Sequence, residues 1–254
     1  MRLTKGFAEI LGMFAADGCL QDKYICMWGN ITEDKDYYDN IVCPLFSKIA
    51  KKQIKAHEKK SNSVYGFYLC DKKIVQLFRN LGFTKNKTYD VTTPKIILDS
   101  NSPEIYARFI RGFADCDGNI NFMKRKGKYS FFKRNFNTYP RVEIKVVSKE
   151  IIREISSMLN KLNIKHTVYL NKSKKYNEKD QLKISIRGPK RIEDWMKKIG
   201  FNNPAQHTKY LVWKKFGFCP AKITLNQRKL ILNNKIDPHS FYKEALPHGF
   251  EPWT

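Results

Sequence analysis

Polar and apolar residues alternate along several short stretches of this chain, a pattern typical of β-strands with one buried face. In segments 141–146 and 181–187, every second residue is apolar and the residues between are polar or charged. Segment 53–59 partly repeats the pattern around Ile54 and Ala56. Because successive side chains of a strand point to opposite faces, each segment predicts one face packed on helices and one polar, mostly cationic face.

Longer stretches with helical spacing of apolar residues predict helices between these strands. They lie at about 33–50, 72–81, 149–163, 189–199 and 223–233. Ser102 and Pro103 are typical of a helix start. The pairs at 82–83 and 200–201, each a glycine followed by phenylalanine, are typical of a helix end. Gly18 and Gly118 also follow helical segments, and we expect left-handed helix caps there.

The chain contains an internal repeat. Residues 10–18 recur loosely as residues 110–118, with the glycines, the apolar positions and the final Asp-Gly pair in register. The elements predicted after each copy match in outline, so each half reads αββαββα, with the last helix least defined. We therefore predict an α+β fold with two pseudo-symmetric halves, 1–100 and 101–218, and an extension at 219–254 that matches nothing in the repeat.

Charge points to a polyanionic partner. The 254 residues include 48 Lys and Arg against 24 Asp and Glu, a net charge of +24. Such an excess self-repels unless it is shared with an extended anion such as nucleic acid. No apolar run is long enough to span a membrane, and we read no signal peptide at the N-terminus. The six cysteines form no C-x-x-C pair, which disfavours zinc and fits a reduced, intracellular chain.

The repeated segment also carries candidate chemistry. Small residues four apart, Gly12 with Ala16 and Gly112 with Cys116, allow two helices to approach closely about a pseudo-two-fold axis. Asp17 and Asp117 would then lie side by side at two helix C-termini, where the dipoles and mutual repulsion disfavour anions. Divalent cations between the carboxylates relieve that cost, and carboxylate oxygens suit magnesium.

The two segments resemble the LAGLIDADG signature of homing endonucleases, and one chain with two copies resembles the monomeric members. The resemblance covers about residues 4–215, and segment 29–38 is similar to the strand-to-helix junction of that family. It implies that the motif helices form the core between the halves and that curved antiparallel sheets form a DNA-binding saddle. It also implies site-specific cleavage of both strands of a long duplex DNA site across the minor groove with short 3′ overhangs. A strand of about ten residues spans one helical turn, so two sheets predict a site of about two turns. The cofactor would be Mg²⁺, with Mn²⁺ as a substitute and Ca²⁺ supporting binding alone, and no obligate protein partner is expected.

The resemblance also assigns site residues. Asp17 and Asp117 are the expected metal ligands, joined by the backbone carbonyls of Ala16 and Cys116. The first acid of the motif is replaced by Ala15 in one copy; in the other it is present as Asp115, for which a structural role or a weak influence on the site is expected. The basic catalytic groups expected are Lys87 in the first half and Lys209 or His207 in the second. The expected DNA-binding residues lie on strands, strand ends and a basic hairpin: Asn30, Lys55, His57, Lys59, Lys124, Arg125, Arg141, Glu143, Lys145, Ser148, Gln181, Lys183, Ser185 and Arg187.

Three alternatives stay open at this point. Asp117, Glu143 and Lys145 imitate a PD-(D/E)xK nuclease site, although the repeat disfavours it because Asp17 would then have no role. A group I intron maturase would use the same fold to bind RNA, and a DNA-binding regulator would use it without cutting. Retention of both aspartates favours the enzyme, which we expect in the cytoplasm of a prokaryote or in an organelle.

Overall fold

The computed structural model describes residues 2–85, 90–124, 136–172 and 179–245. Its α-helices are α1 (Lys5–Ala16), α2 (Lys35–Tyr37), α3 (Cys43–Ala50), α4 (Lys72–Asn80), α5 (Lys95–Leu98), α6 (Pro103–Asp117), α7 (Lys149–Lys161), α8 (Pro189–Lys198), α9 (Pro204–Phe216) and α10 (Leu225–Leu232). Its strands are β1 (Gly18–Leu20), β2 (Ile25–Asn30), β3 (His57–Lys59), β4 (Val64–Leu69), β5 (Gly118–Lys124), β6 (Asn137–Val146), β7 (Thr167–Asn171) and β8 (Gln181–Arg187). A π-helical turn at Tyr38–Val42 joins α2 to α3, so the predicted helix at 33–50 forms as one continuous run.

The strands form two antiparallel sheets with the same topology, one in each half. Their orders are β1-β2-β4-β3 and β5-β6-β8-β7. The register also repeats, because the glycine that ends each motif pairs with the following strand, Gly18 with Met27 and Gly118 with Ile144. The predicted α+β class and its two related halves are therefore confirmed, while the exact domain boundaries stay a prediction.

Alternation is well developed in the second sheet and only partial in the first. Ile184 and Ile186 of β8 and Ile144 of β6 are fully buried, and the residues between them lie on the other face. In the first half the predicted strand at 53–59 is shorter, because β3 begins only at His57. Lys55 is exposed and lies in the segment that precedes the strand.

The motif helices α1 and α6 cross at their glycines. A methyl group added to Gly12 would lie 2.0 Å from the carbonyl oxygen of Phe109, and one added to Gly112 would lie 2.1 Å from that of Glu9. These reciprocal distances confirm the predicted close approach. The surrounding apolar residues of both helices are buried, so the crossing lies in the main core.

The glycines after the motif helices do not form the left-handed caps predicted for them. Neither has a positive φ, and Gly118 is extended at φ −91° and ψ 160°. Glycine is needed for space instead, since an added methyl would lie 2.2 Å from the Phe14 ring at Gly18 and 2.4 Å from the Ala114 oxygen at Gly118. The helix ends predicted at Gly82 and Gly200 do adopt positive φ.

The segment after α9 packs across both halves. Its helix α10 begins with a capping box formed by Thr224 and Gln227. Arg228 is only 2% exposed; it donates to the Thr208 hydroxyl at 2.9 Å and forms an ion pair with Glu33 of the first half at 2.6 Å. The part of the extension that the structure describes thus ties α9 to the segment between β2 and α2.

The crossing predicts a position-specific cost for adding one methyl group. We expect Gly12→Ala to lower the free energy of unfolding by at least about 1–3 kcal/mol, because backbone rather than flexible side chain must move. Gly6→Ala is the matched control in the same helix, where the nearest atom is the Leu45 Cδ2 at 3.5 Å. Gly6→Ala should be neutral or stabilise by up to about 1 kcal/mol. Equal effects of the two variants in denaturant unfolding would contradict the close crossing.

Candidate functional site

Asp17 and Asp117 line one cleft at the junction of the halves. Asp17 directly follows α1 and Asp117 is the last residue of α6, so the helix crossing brings both carboxylates to the same end of the motif pair. The cleft has a volume of ≈ 490 Å³. Thr84 from the first half and Lys145 and Gln181 from the second half complete its polar lining.

Cys116 is half-buried beside the two acids. Burial raises the pKa of its thiol well above the usual value, and the negative charges of Asp17, Asp115 and Asp117 raise it further. Without a bound metal, the group is therefore a neutral thiol. Tyr38 is also buried near Asp17, and burial raises the pKa of its hydroxyl.

Asp115 has a structural position, which is one of the two roles expected for it. It is buried, and its carboxylate accepts hydrogen bonds from the backbone N–H groups of Asn202 at 3.0 Å and Asn203 at 3.0 Å. Burial raises its pKa to about 8, although these bonds oppose the shift. Since Asn203 is the N-cap of α9, Asp115 anchors that helix to α6. Ala15 offers no such anchor in the first half.

The donor set fits a hard divalent cation. No group of three or more His, Cys, Asp or Glu side chains comes together in the described part of the chain, so the protein contributes chiefly the two aspartates. Magnesium commonly uses one or two carboxylates and completes its shell with water and substrate phosphates. Asp17 and Asp117 match that requirement, and backbone carbonyls of Ala16 and Cys116 stay a prediction.

The predicted basic groups have different positions. Lys87 lies outside the described residues. Lys209 donates to Asn119 at 3.0 Å and Gln206 at 3.2 Å and lines a separate cavity beside Arg228. Burial lowers its pKa, as it does for His207. The lysine that the structure brings to the aspartate cleft is Lys145, an exposed residue of β6. The sequence had suggested it as a DNA contact and as the lysine of the PD-(D/E)xK alternative.

The polar face of the second sheet collects most of the predicted DNA-binding residues. Arg141, Glu143, Lys183 and Arg187 alternate with buried apolar residues on β6 and β8. Ser185 lies among them but is only 1% exposed, and its hydroxyl accepts a hydrogen bond from the Arg187 Nε at 2.9 Å. Lys124 is exposed at the end of β5, and Arg125 lies outside the described residues.

Asn121 and Tyr169 belong to the same face, and sequence reasoning missed them. Asn121 Nδ2 donates to Glu143 at 3.3 Å, and the Tyr169 hydroxyl accepts from Arg187 at 3.1 Å. Both occupy alternate positions of their strands, so extending the period-two pattern to β5 and β7 would have indicated them.

The strand-end residues Asn30 and Ser148 are not equivalent. Met27 pairs with Gly18 and Ile144 pairs with Gly118, so Met27 and Ile144 are equivalent positions in the two halves. The residue equivalent to Asn30 is therefore Val147, and Ser148 is one residue further on. A one-residue slip along a strand turns a side chain to the opposite face. Ser148 is 1% exposed and donates to the Val91 carbonyl at 2.7 Å, so the structure does not place it toward DNA. Asn30 is exposed and accepts from the backbone N–H groups of Thr32 and Glu33.

The corresponding face of the first sheet is more aromatic than expected. His57 lies on the edge strand β3, and its ring packs edge-on against Trp28 and Tyr68, with centroid distances of 5.2 Å and 5.6 Å. Lys59 is exposed at the end of the same strand. The prediction for this face used only the cationic pattern of segment 53–59, so it missed the aromatic residues. Trp28 and Tyr68 follow the buried Met27 and Phe67 on β2 and β4, and alternation along these strands would have indicated them.

Among the described residues, no helix has both the length and the apolar character needed to cross a bilayer.

Known structures share this architecture. The structure of the LAGLIDADG homing endonuclease I-LtrWI bound to target DNA superposes with a TM-score of 0.57 at 12% identity, covering 92% of this chain and 98% of that one. Mesophilic variants of the homing endonuclease I-DmoI superpose with a TM-score of 0.52 at 16% identity, covering 77% of this chain and 96% of that one. A variant of I-DmoI with its target DNA in the presence of 2 mM Mn superposes with a TM-score of 0.51 at 14% identity, covering 77% of this chain and 94% of that one.

Two curated proteins match in sequence over part of their length. An A-type ATP synthase subunit of Pyrococcus abyssi is 26% identical over 194 residues, 75% of this chain and 16% of that protein. A probable translation initiation factor IF-2 of Methanocaldococcus jannaschii is 27% identical over 120 residues, 47% of this chain and 9% of that protein. Because the chain spans so small a share of each, their named activities are not transferred to it.

A family model matches the second half of the chain, and the first half shares its fold. Residues 104–200 match the family model of the LAGLIDADG-like domain, from the second residue of α6 to the turn after α8. The first half repeats the same sheet order and presents its own motif helix. The chain therefore contains a LAGLIDADG-like domain at residues 104–200 and has the overall fold seen in the homing endonucleases I-LtrWI and I-DmoI.

Proposed function

We propose that this chain is a divalent-metal-dependent, site-specific DNA endonuclease that cuts both strands of its target. The observation that supports this most directly is the meeting of Asp17 and Asp117, one from each half, in a single cleft. A pseudo-two-fold site of this kind matches the pseudo-two-fold symmetry of duplex DNA, in which the two scissile phosphates lie on opposite strands. One chain supplies both halves, with residues 1–100 and 101–218 as the two half-site units.

The sheets provide the surface for a long duplex. The ten-residue strand β6 spans roughly 33 Å at about 3.3 Å per residue, close to one helical turn of DNA. The strands β2 and β4 of the first sheet have six residues each, roughly 20 Å, so the two sheets side by side extend over about one and a half to two turns. Their polar faces carry side chains that read base edges in the major groove. The net charge of +24 supplies the affinity for phosphates. The DNA-bound structures of I-LtrWI and I-DmoI support the same partner.

In the cleft, the residues of this chain have distinct roles. Asp17 and Asp117 hold divalent metal, with Mg²⁺ as the proposed ion and Mn²⁺ as a substitute. When bound, such ions activate water and stabilise the leaving oxygen of a phosphodiester. Lys145 contributes positive charge beside the phosphate, and the Gln181 amide orients water or a phosphate oxygen. Cuts across one minor groove leave short 3′ overhangs.

The metal assignment predicts a separation of binding from cleavage. We expect Asp17→Asn and Asp117→Asn each to abolish double-strand cleavage of a duplex selected for binding to the wild-type chain, since each removes a charged metal ligand. Binding should persist, and Ca²⁺ in place of Mg²⁺ should likewise allow binding without cutting. Gel-based cleavage and binding assays on the same duplex measure both quantities.

Asp36→Asn is the matched control for this experiment. Asp36 lies on α2 and pairs with Lys229 outside the cleft, so the same chemical change there should leave cleavage intact. Full cleavage by either motif variant would sink the assignment of the metal ligands.

The cleft geometry also distinguishes between two lysines. We expect Lys145→Met to slow cleavage about 100-fold, the typical loss when one charge-stabilising group is removed from an active site. Lys209→Met makes the same chemical change in a neighbouring cavity and should slow cleavage much less. Single-turnover rates at saturating protein separate this effect from weaker binding. If Lys209→Met slows cleavage more than Lys145→Met does, Lys209 and not Lys145 is the basic catalytic group.

A further inference from the structure

Glu143 lies at the centre of the polar face of the second sheet, surrounded by cations. Its side chain is 11% exposed, and its Oε1 atom is 2.5 Å from the Lys183 Nζ and within 3.5 Å of the Tyr169 hydroxyl. The Oε2 atom is 3.4 Å from the Arg141 Nε and accepts from the Asn121 amide at 3.3 Å. Both carboxylate oxygens are therefore occupied by neighbours within the sheet.

A second layer of contacts extends this arrangement to Arg187. The Arg187 guanidinium donates to the Tyr169 hydroxyl at 3.1 Å and to Ser185 at 2.9 Å. It also lies 5.7 Å from the centroid of the Tyr169 ring, on which Lys183 packs as well, at 5.5 Å. Three cations of the face are thus held directly by Glu143 or through Tyr169.

Glu143 is charged in this setting. Burial by itself raises the pKa of a carboxyl, but the hydrogen bond from Lys183 and the charge of Arg141 outweigh it, and the pKa of Glu143 lies below its usual value. The cluster is therefore an ionic one at neutral pH, which orients long side chains more strongly than neutral hydrogen bonds do.

The fold does not require an acid at this position. Glu143 pairs with Asn119, and the equivalent pair in the first sheet is Cys26 with Cys19. A carboxylate on a DNA-facing surface also repels phosphates, so it lowers general affinity for DNA. Glu143 is therefore needed neither for the fold nor for general DNA binding, and we look for its role in the contacts that it makes with its neighbours.

We propose that Glu143 is a specificity-determining positioning residue, which holds Arg141, Lys183 and, through Tyr169, Arg187 in the orientations that read base edges. This inference rests on the proposed DNA-binding function and concerns how the second half-site is recognised. Without the carboxylate charge, Lys183 loses its ion pair, while Arg141 and Arg187 keep only the neutral partners Asn121, Ser185 and Tyr169. The cations are then held less firmly and swing more readily toward phosphates, which carry no sequence information. Glu143 thereby exchanges general affinity for discrimination.

Glu143→Gln tests the proposal because it keeps the shape and removes the charge. We expect discrimination between the target and single-base-pair variants opposite β6 and β8 to fall about tenfold, within the range for one oriented base contact. We expect binding to duplexes of unrelated sequence to become tighter. The slope of log affinity against log salt should also steepen by about 0.9, as for one additional phosphate contact.

Glu104→Gln is the matched control. Glu104 pairs with Lys5 at the start of α6, and this 15-residue helix places it roughly 20 Å from the end that carries Asp117. The control makes the same change in net charge away from the sheet, so discrimination should be unchanged. Tyr169→Phe is a second probe that alters no charge; it should relax preference only where Arg187 contacts the target and leave general affinity unchanged.

The outcomes separate this inference from the function beneath it. If the wild-type chain prefers no duplex sequence, the proposed function fails and this inference fails with it. If the wild-type chain discriminates and Glu143→Gln discriminates equally well, Glu143 has no role in specificity. If Glu143→Gln weakens target and unrelated duplexes by the same factor, Glu143 only supports the sheet, and the inference is overturned.

Discussion

The crossing of α1 and α6 at Gly12 and Gly112 fixes the position of the other functional parts. With backbones in contact, the C-terminal ends of the two helices bring Asp17 and Asp117 to one cleft. Each sheet begins within a residue of its motif helix, so the same crossing sets the angle and separation of the two sheets. One added methyl group at the crossing would therefore shift both the two acids and the polar faces of the two sheets.

Around this shared core the two halves differ in their side chains. The second sheet presents an ionic network around Glu143, whereas the first presents the rings of Trp28, His57 and Tyr68. Asp115 anchors α9, and Arg228 ties the C-terminal segment back to Glu33 of the first half. Under the proposed function, asymmetry of this kind fits a target whose two half-sites differ in sequence, with each half reading its own base pairs and supplying one acid to the centre.

Features set by local sequence were predictable, and features set by distant contacts were not. The motif repeat, most helices and the alternation of β6 and β8 follow from spacing alone, so the fold class and the paired aspartates could be predicted. Ser148 was misplaced because one residue of register decides which face a side chain occupies. The positions of Lys145 and Lys209 relative to the cleft, and the Arg228–Glu33 pair, join residues far apart in the chain, for which the sequence contains no periodic signal.

Cleavage of a randomised duplex DNA library in Mg²⁺, followed by sequencing of the product ends, tests the central claim most directly. We predict enrichment of a single consensus of about two helical turns, cut on both strands at one fixed stagger with short 3′ overhangs. Ends distributed without a consensus, or no cleavage while the chain selects one folded RNA from a parallel pool, would contradict it.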